Sequence, residues 1–173
     1  MKSASINIFI VDDDKILSSV LRGEIRRNFP EKDIRFSTFE SGELCEPHIG
    51  SQPDIAIIDY HMNSRVRSAM NGIEVIDLFR KKSPDTSTIL FTSDSNLGLA
   101  VEALTHGATD YVQKNDFMLR RLNVSLYQCF QLRDLKRRNH ELKKLLLYAS
   151  TALAMLAVAI YYFSSSPLFN PAH

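Results

Sequence analysis

The sequence predicts an α/β fold with a parallel sheet, followed by a long apolar helix. Two observations indicate the sheet. Short apolar runs alternate five times with helical patterns, and polar side chains follow where the runs end. A third observation, the lack of any charged side chain in residues 145–163, indicates the long apolar helix. The 173 residues are enough for one ordinary domain and a short appendage.

Five apolar runs rich in β-branched residues predict the strands, since such runs are typical of strands buried on both faces. The predicted strands are residues 6–11, 34–38, 55–58, 88–91 and 111–112. Strands separated by helices favour parallel pairing with right-handed crossovers.

Helical spacing of apolar residues predicts the segments between the strands. The first helix has its apolar residues at Ile16, Leu17, Val20, Leu21, Ile25 and Phe29, and Pro30 ends it. A short helix is predicted over 41–48, and longer ones over 72–82 and 97–106. Gly107 closes the last of these, and a long helix begins near Asp116.

Composition narrows the class of protein. The 21 basic and 20 acidic residues nearly balance, which gives no argument for nucleic acid as a partner. Cys45 and Cys129 have no metal-like spacing, so we expect reduced, buried thiols. The chain enters its first strand without a secretory signal, so its N-terminal part is expected in the cytoplasm.

Polar residues gather at the predicted carboxyl ends of the strands, where open α/β sheets place their functional crevice. These residues are Asp12, Asp13 and Asp14 after the first strand, Asp59 after the third, Thr92 and Ser93 after the fourth, and Lys114 after the fifth. Clustered carboxylates suit Mg²⁺, and a hydroxyl with an ammonium group suits a phosphoryl group. Any one of these aspartates alone could be an ordinary cap or turn residue, and Asp14 is predicted to cap the first helix.

Five ordered segments carry a specific resemblance. They are IVDDD (10–14), PDIAIIDYHM (53–62), NGIEVI (71–76), ILFTSD (89–94) and GATDYVQK (107–114). Together they resemble the receiver domain of bacterial response regulators over roughly residues 5 to 128. The resemblance implies a flavodoxin-like (βα)5 fold, a doubly wound parallel sheet, and a phospho-accepting signalling domain rather than an enzyme.

The resemblance implies a magnesium site at the first and third strands. Asp59 would be the phospho-acceptor, and Asp12 and Asp13 would be the acidic pair that binds Mg²⁺, with Asp13 favoured over Asp12 as the direct ligand. Asp59 itself and the backbone carbonyl of His61 would complete the protein ligands of Mg²⁺.

It also implies how the phosphoryl group is bound and sensed. Thr92 would hydrogen-bond the phosphoryl oxygens and Lys114 would pair with them, while Tyr111 would be the switch aromatic. His61 and Asp94 fall where the family varies residues that tune dephosphorylation.

Two departures from the family pattern stand out. Residues 63–70, with Arg65 and Arg67, make the connection after Asp59 longer than usual. This stretch could gate the site or contact a kinase, or be a tolerated surface insertion. Asn115 follows Lys114 where the family has a proline in a cis bond, so a trans bond is expected here.

The C-terminal part predicts a membrane anchor. Residues 145–163 are 19 apolar or neutral residues, close to the length that spans a bilayer, with Tyr148 near one end and Tyr161 and Tyr162 near the other. Six basic residues precede the span within 133–144, and none follows it. The positive-inside rule therefore predicts a single-pass protein of the inner membrane with its receiver in the cytoplasm. The alternative, a buried helix of a soluble core, needs a larger domain.

The segment before the span has a short heptad pattern. Leu132, Asn139 and Leu146 fall at a positions, and Leu135, Leu142 and Ala149 at d positions. This pattern allows a homodimer, although an exposed spacer helix is the alternative. The predicted division is a receiver at 1–128, a basic linker helix at 129–144, a transmembrane helix at 145–163 and a tail at 164–173.

These features predict a membrane-tethered response regulator. A sensor histidine kinase or phosphotransfer protein would supply its phosphoryl group. Its output would be protein contact or withdrawal of phosphoryl groups from a relay. Two alternatives stay open: a docking module that is independent of phosphorylation, and an aspartate-based phosphatase with Asp12 as nucleophile and Asp14 as acid.

Overall fold

The computed structural model describes residues 5–62 and 69–165, with side chains as far as residue 163. The strands are β1 (Ile6–Val11), β2 (Ile34–Phe39), β3 (Ile55–Ile58), β4 (Ser87–Thr92) and β5 (Asp110–Gln113). The helices are α1 (Lys15–Asn28), α2 (Gly42–Cys45), α3 (Gly72–Lys82), α4 (Leu97–His106) and α5 (Met118–Ser165), with a 3-10 turn at Glu46–Ser51.

All four strand pairings are parallel, and the strand order is β2-β1-β3-β4-β5. The order reverses direction at β1 and β3, which is the arrangement of a flavodoxin-like doubly wound sheet. The predicted fold class is confirmed. The crevice of such a sheet lies at the carboxyl ends of β1 and β3.

The sheet is covered on both faces. On one face, Leu21 and Ile25 of α1 and Leu122 and Leu126 of α5 pack on the strands. On the other face, the core contains the buried side of α3, part of α4 and the short helix α2. Burial on both faces explains why the central strands β1, β3 and β4 are mostly apolar runs.

Four elements begin and end where the sequence predicts: β1, β3, α3 and α4. The predicted short helix at 41–48 is instead the single turn α2 followed by the 3-10 turn. In α1, Ile16 and Val20 are exposed although their spacing predicts an inward face. Both cysteine side chains are buried and in no disulfide, and burial raises the pKa of the Cys45 thiol to about 12.

The chain divides into two units, Met1–Phe130 and Gln131–His173. In the second unit, every side chain from Asp134 to Phe163 is exposed. One window of 18 residues in α5 has a mean hydropathy of 1.8 and no buried part. This helix is therefore long and apolar enough to cross a membrane. The predicted insertion at 63–70 lies largely outside the described residues.

Candidate functional site

Asp12 and Asp59 lie side by side because they follow neighbouring strands. Val11 at the end of β1 pairs with Ile58 at the end of β3, and Asp59 N donates to Val11 O at 2.8 Å. The residues Asp12 and Asp59 are 4% and 7% exposed, whereas Asp13 is exposed. One carboxylate oxygen from each of the three residues lies within 4.8 Å of the others.

Lys114 joins this cluster from the end of β5. Its Nζ lies 3.0 Å from Oδ2 of Asp12 and 3.0 Å from Oδ2 of Asp59, and its side chain is 15% exposed. The backbone holds the lysine in place, since Lys114 N donates to Thr92 O at 2.7 Å. One ammonium group therefore lies between two buried carboxylates.

The charge in this cluster is not balanced. Burial raises the pKa of Asp12, and the hydrogen bond from Asp14 N at 2.8 Å and the charge of Lys114 only partly offset it. Two buried carboxylates share one ammonium group, with the exposed Asp13 nearby, which leaves excess negative charge at a poorly solvated place. Hard oxygen ligands at this spacing fit a divalent cation such as Mg²⁺.

Thr92 and Tyr111 are linked through Asp94. Thr92 is fully buried at the end of β4, and its Oγ1 accepts a hydrogen bond from Asp94 N at 3.2 Å. The half-buried Tyr111 donates its hydroxyl to Asp94 O. Burial and the charge of Asp94 raise the pKa of Tyr111, so the hydroxyl keeps its proton and remains a donor.

The two predicted tuning residues lie at the rim of the site. His61 is exposed, and its ring packs edge-on against Tyr60 with the ring centroids 4.6 Å apart. The Asp94 carboxylate accepts from Asn96 N at 2.8 Å, which holds the turn before α4. Asp14 caps α1 as predicted, since its Oδ1 accepts from Ile16 N and Leu17 N, each at 2.9 Å.

Asn115 forms the turn after Lys114 without a cis bond. No peptide bond among the described residues is cis, so the expected trans bond is confirmed. The side-chain oxygen of Asn115 accepts a hydrogen bond from Phe117 N at 3.0 Å, and its backbone carbonyl accepts one from Met118 N at 2.9 Å. The side chain thus makes the turn that starts α5.

Sequence reasoning missed how α3 is placed beside Asp59. A Cβ on Gly72 would lie 2.6 Å from Asp59 O and 2.8 Å from Tyr60 Cα, so only glycine permits this approach. Asn71 caps α3 in a capping box with Glu74. An Asn followed three residues later by Glu is the signal that could have revealed it.

Comparison with known proteins identifies the family. The family model of the response regulator receiver domain matches residues 8–124. The chain belongs to this family. It is 24% identical over 140 residues to the nitrogen assimilation regulatory protein NtrX of Azorhizobium caulinodans. That alignment covers 80% of this chain and 29% of NtrX. The chain is 30% identical over 157 residues to the C4-dicarboxylate transport transcriptional regulatory protein DctD of Rhizobium meliloti, covering 89% and 32%.

Solved structures show the same fold. The signal receiver domain of a putative LuxO repressor protein from Vibrio parahaemolyticus superposes with a TM-score of 0.65 at 21% identity, over 78% of this chain and 96% of that one. NtrX from Brucella abortus in complex with ADP has a TM-score of 0.66 at 20% identity, over 82% and 30%. The chain thus spans about a third or less of the length of NtrX and DctD. It contains the receiver domain of a two-component response regulator, and its site is consistent with phosphoryl acceptance.

Proposed function

We propose that this receiver accepts a phosphoryl group on Asp59 from the phosphohistidine of a sensor kinase or phosphotransfer protein. A carboxylate oxygen of Asp59 attacks phosphorus, the P–N bond breaks, and the histidine nitrogen leaves with the electron pair. The observation that carries the proposal is Lys114 Nζ at 3.0 Å from both Asp59 and Asp12. An ammonium group held there can stabilise the charge on the transferring phosphoryl oxygens.

The acidic cluster supplies the metal ligands in this proposal. Asp12, Asp13 and Asp59 would hold Mg²⁺, with the backbone carbonyl of His61 as a further ligand. When bound there, Mg²⁺ would supply positive charge against the carboxylates and the incoming phosphoryl group. The raised pKa of Asp12 supports this role, because burial leaves its carboxylate poorly solvated and a bound cation would stabilise the charged form.

The switch would run through Thr92 and Tyr111. Thr92 Oγ1 now accepts from Asp94 N, and a phosphoryl oxygen on Asp59 would draw the hydroxyl away from that bond. Tyr111, bonded to Asp94 O, would then change position and alter the surface of α4 and β5. His61 and Asp94 would tune the dephosphorylation of Asp59.

The apolar part of α5 would anchor the receiver. Residues 145–163 would cross the inner membrane once, and the six basic residues at 133–144 would keep the receiver in the cytoplasm. Output would be contact with protein partners at the membrane, or withdrawal of phosphoryl groups from a relay.

Incubation of the full chain with acetyl phosphate and Mg²⁺ tests phosphoryl acceptance. Intact-mass spectrometry should show one added phosphoryl group in the wild type and in the control Asp116→Asn, an exposed aspartate. The gain should vanish in Asp59→Asn and when EDTA removes the metal. A gain that survives Asp59→Asn would refute the acceptor, whereas no gain in the wild type would favour a docking module. Continuous hydrolysis of a generic phosphate ester would favour the phosphatase alternative.

A further inference from the structure

The segment of α5 before the apolar span leaves an apolar stripe uncovered. Leu132, Leu135 and Leu142 are all exposed on this helix, at heptad positions a, d and d. Asn139 lies between them at an a position. Leucines at this spacing are typical of the residues that a coiled coil buries between its helices. We call these four residues, together with the flanking Lys136, Arg138 and Lys143, the basic seam.

The flanking charges of the basic seam oppose pairing with a second copy. In a parallel pair, position g of one helix meets the following e position of the other. Arg138 at g would therefore face Lys143 of the partner subunit at e, and symmetry repeats this repulsion. In an antiparallel pair, g meets g and e meets e, and these positions again bring cations together. No flanking e or g position beside Asn139 is acidic.

We propose that the basic seam binds a parallel helix of another protein, with acidic residues at its e and g positions. Acidic g residues of that helix would pair with Lys136 and Lys143, and an acidic e residue with Arg138. A polar residue would face Asn139, because a buried amide needs a hydrogen-bond partner. Charge at e and g positions selects between partners more strongly than it stabilises any one of them.

Anionic lipid is a poorer occupant of the seam. Arg138 lies seven residues before Leu145, which is about 10 Å along the helix axis. Lys136 lies nine residues before Leu145, which is about 14 Å. Screening at physiological salt acts over about 8 Å, so the attraction of headgroups is strongest at Lys143 and weakens towards Arg138 and Lys136 in an upright helix. Only this argument against lipid depends on the proposed membrane anchor. No part of the proposal for the basic seam depends on phosphorylation of Asp59.

Peptide binding to the full chain in phosphatidylcholine nanodiscs tests the proposal. Two synthetic labelled helices carry Leu at a and d and Asn opposite Asn139, one with Glu and one with Lys at every e and g. Fluorescence anisotropy should show the Glu peptide binding at least about tenfold more tightly than the Lys peptide. The double variant Arg138→Glu/Lys143→Glu should reverse this preference. That reversal is a gain of binding, which a misfolded chain would not produce.

The control is Arg137→Glu/Lys144→Glu, which changes the net charge equally at two f positions outside the seam. It should keep the preference of the wild type. Equal weakening by the control variant would overturn the proposal in favour of unspecific attraction. Loss of peptide binding when phosphatidylserine is added would overturn it in favour of lipid.

A measurement of self-association tests whether a second copy of this chain occupies the basic seam instead. The wild type should be monomeric by analytical ultracentrifugation in detergent. Arg138→Glu should strengthen its self-association by about fivefold or more, because it replaces repulsion with attraction to Lys143 of the partner subunit. A wild-type dimer that Arg138→Glu weakens would overturn the proposal.

Discussion

In the unit Met1–Phe130, one lysine lies between two buried carboxylates, whereas in the unit Gln131–His173 five basic residues are exposed on an open helix: Lys136, Arg137, Arg138, Lys143 and Lys144. Enclosed charges interact strongly with each other, and water and salt screen them little. Exposed charges lose most of their interaction energy to solvent. The enclosed lysine of the first unit is therefore committed to one arrangement, while the exposed basic residues of the second can exchange partners at little cost in free energy.

Removing the enclosed lysine should have the largest effect. Lys114→Met leaves Asp12 and Asp59 buried without their cation, so the free energy of unfolding should fall by about 3 kcal/mol in metal-free buffer. The exposed pair Lys15–Glu40, at 2.8 Å, provides the control. Lys15→Met should change stability by less than about 0.5 kcal/mol. Urea unfolding measures both, and similar losses in the two variants would break the distinction.

A charge placed in the apolar span tests the second unit. Ala154→Arg puts a guanidinium group near the middle of residues 145–163, at a cost of about 2.5 to 3.5 kcal/mol for insertion. We expect less of the chain in the membrane fraction, whereas Ala154→Leu should stay there. Phosphorylation by acetyl phosphate should be the same in both. Unchanged fractionation of the arginine variant would contradict the anchor.

Crowding beside the acceptor should have a smaller effect. Gly72→Ala forces its Cβ against Asp59 O and Tyr60 Cα, so stability should fall by about 1 to 3 kcal/mol and phosphorylation of Asp59 should slow. A Cβ on Gly23 in α1 would meet nothing within 4 Å, so Gly23→Ala should be neutral or stabilising by up to about 1 kcal/mol. Thermal unfolding and phosphorylation rates check both variants. If Gly72→Ala changes neither stability nor the phosphorylation rate, the backbone at Asp59 and Tyr60 moves aside at little cost in free energy.

The smallest effect concerns the charge of Asp12. Because burial raises its pKa, the folded state keeps this proton to higher pH than the unfolded state does. In EDTA, stability should therefore fall as pH rises from the ordinary aspartate pKa through the raised value. Asp12→Asn should remove this fall and stabilise the chain at neutral pH by about 1 kcal/mol. The exposed Asp134→Asn should not alter the pH profile, and an unaltered profile in Asp12→Asn would refute burial of this carboxylate as the cause.

Much of the fold was predictable because burial on both faces gives β1 and β3 a nearly continuous apolar pattern. The limits of β1 and β3 followed from apolar runs that end at aspartates. Helix periodicity was less decisive, since Ile16 and Val20 continue the apolar spacing of α1 and are nevertheless exposed. Spacing shows which residues share a face but not how far a neighbouring element covers that face.

The site was predictable in its residues but not in its contacts. Parallel strands bring Asp12, Asp59 and Lys114 to one edge, and the sequence indicated that edge. That Lys114 lies equally far from both carboxylates depends on the register of β4 with β5, which no local pattern contains. The close approach of Gly72 to Asp59 likewise depends on packing between α3 and a distant strand.

The cap of α3 also bears on the chemical lifetime of the chain. An Asn-Gly sequence in a flexible segment deamidates when the glycine nitrogen attacks the asparagine amide carbon to form a cyclic imide. In Asn71–Gly72 that nitrogen donates to Tyr60 O at 3.1 Å, and Asn71 Oδ1 accepts from Ile73 N at 2.9 Å and Glu74 N at 3.0 Å. Both reacting groups are therefore held in other hydrogen bonds, so Asn71 should deamidate more slowly in the folded domain than in the unfolded chain.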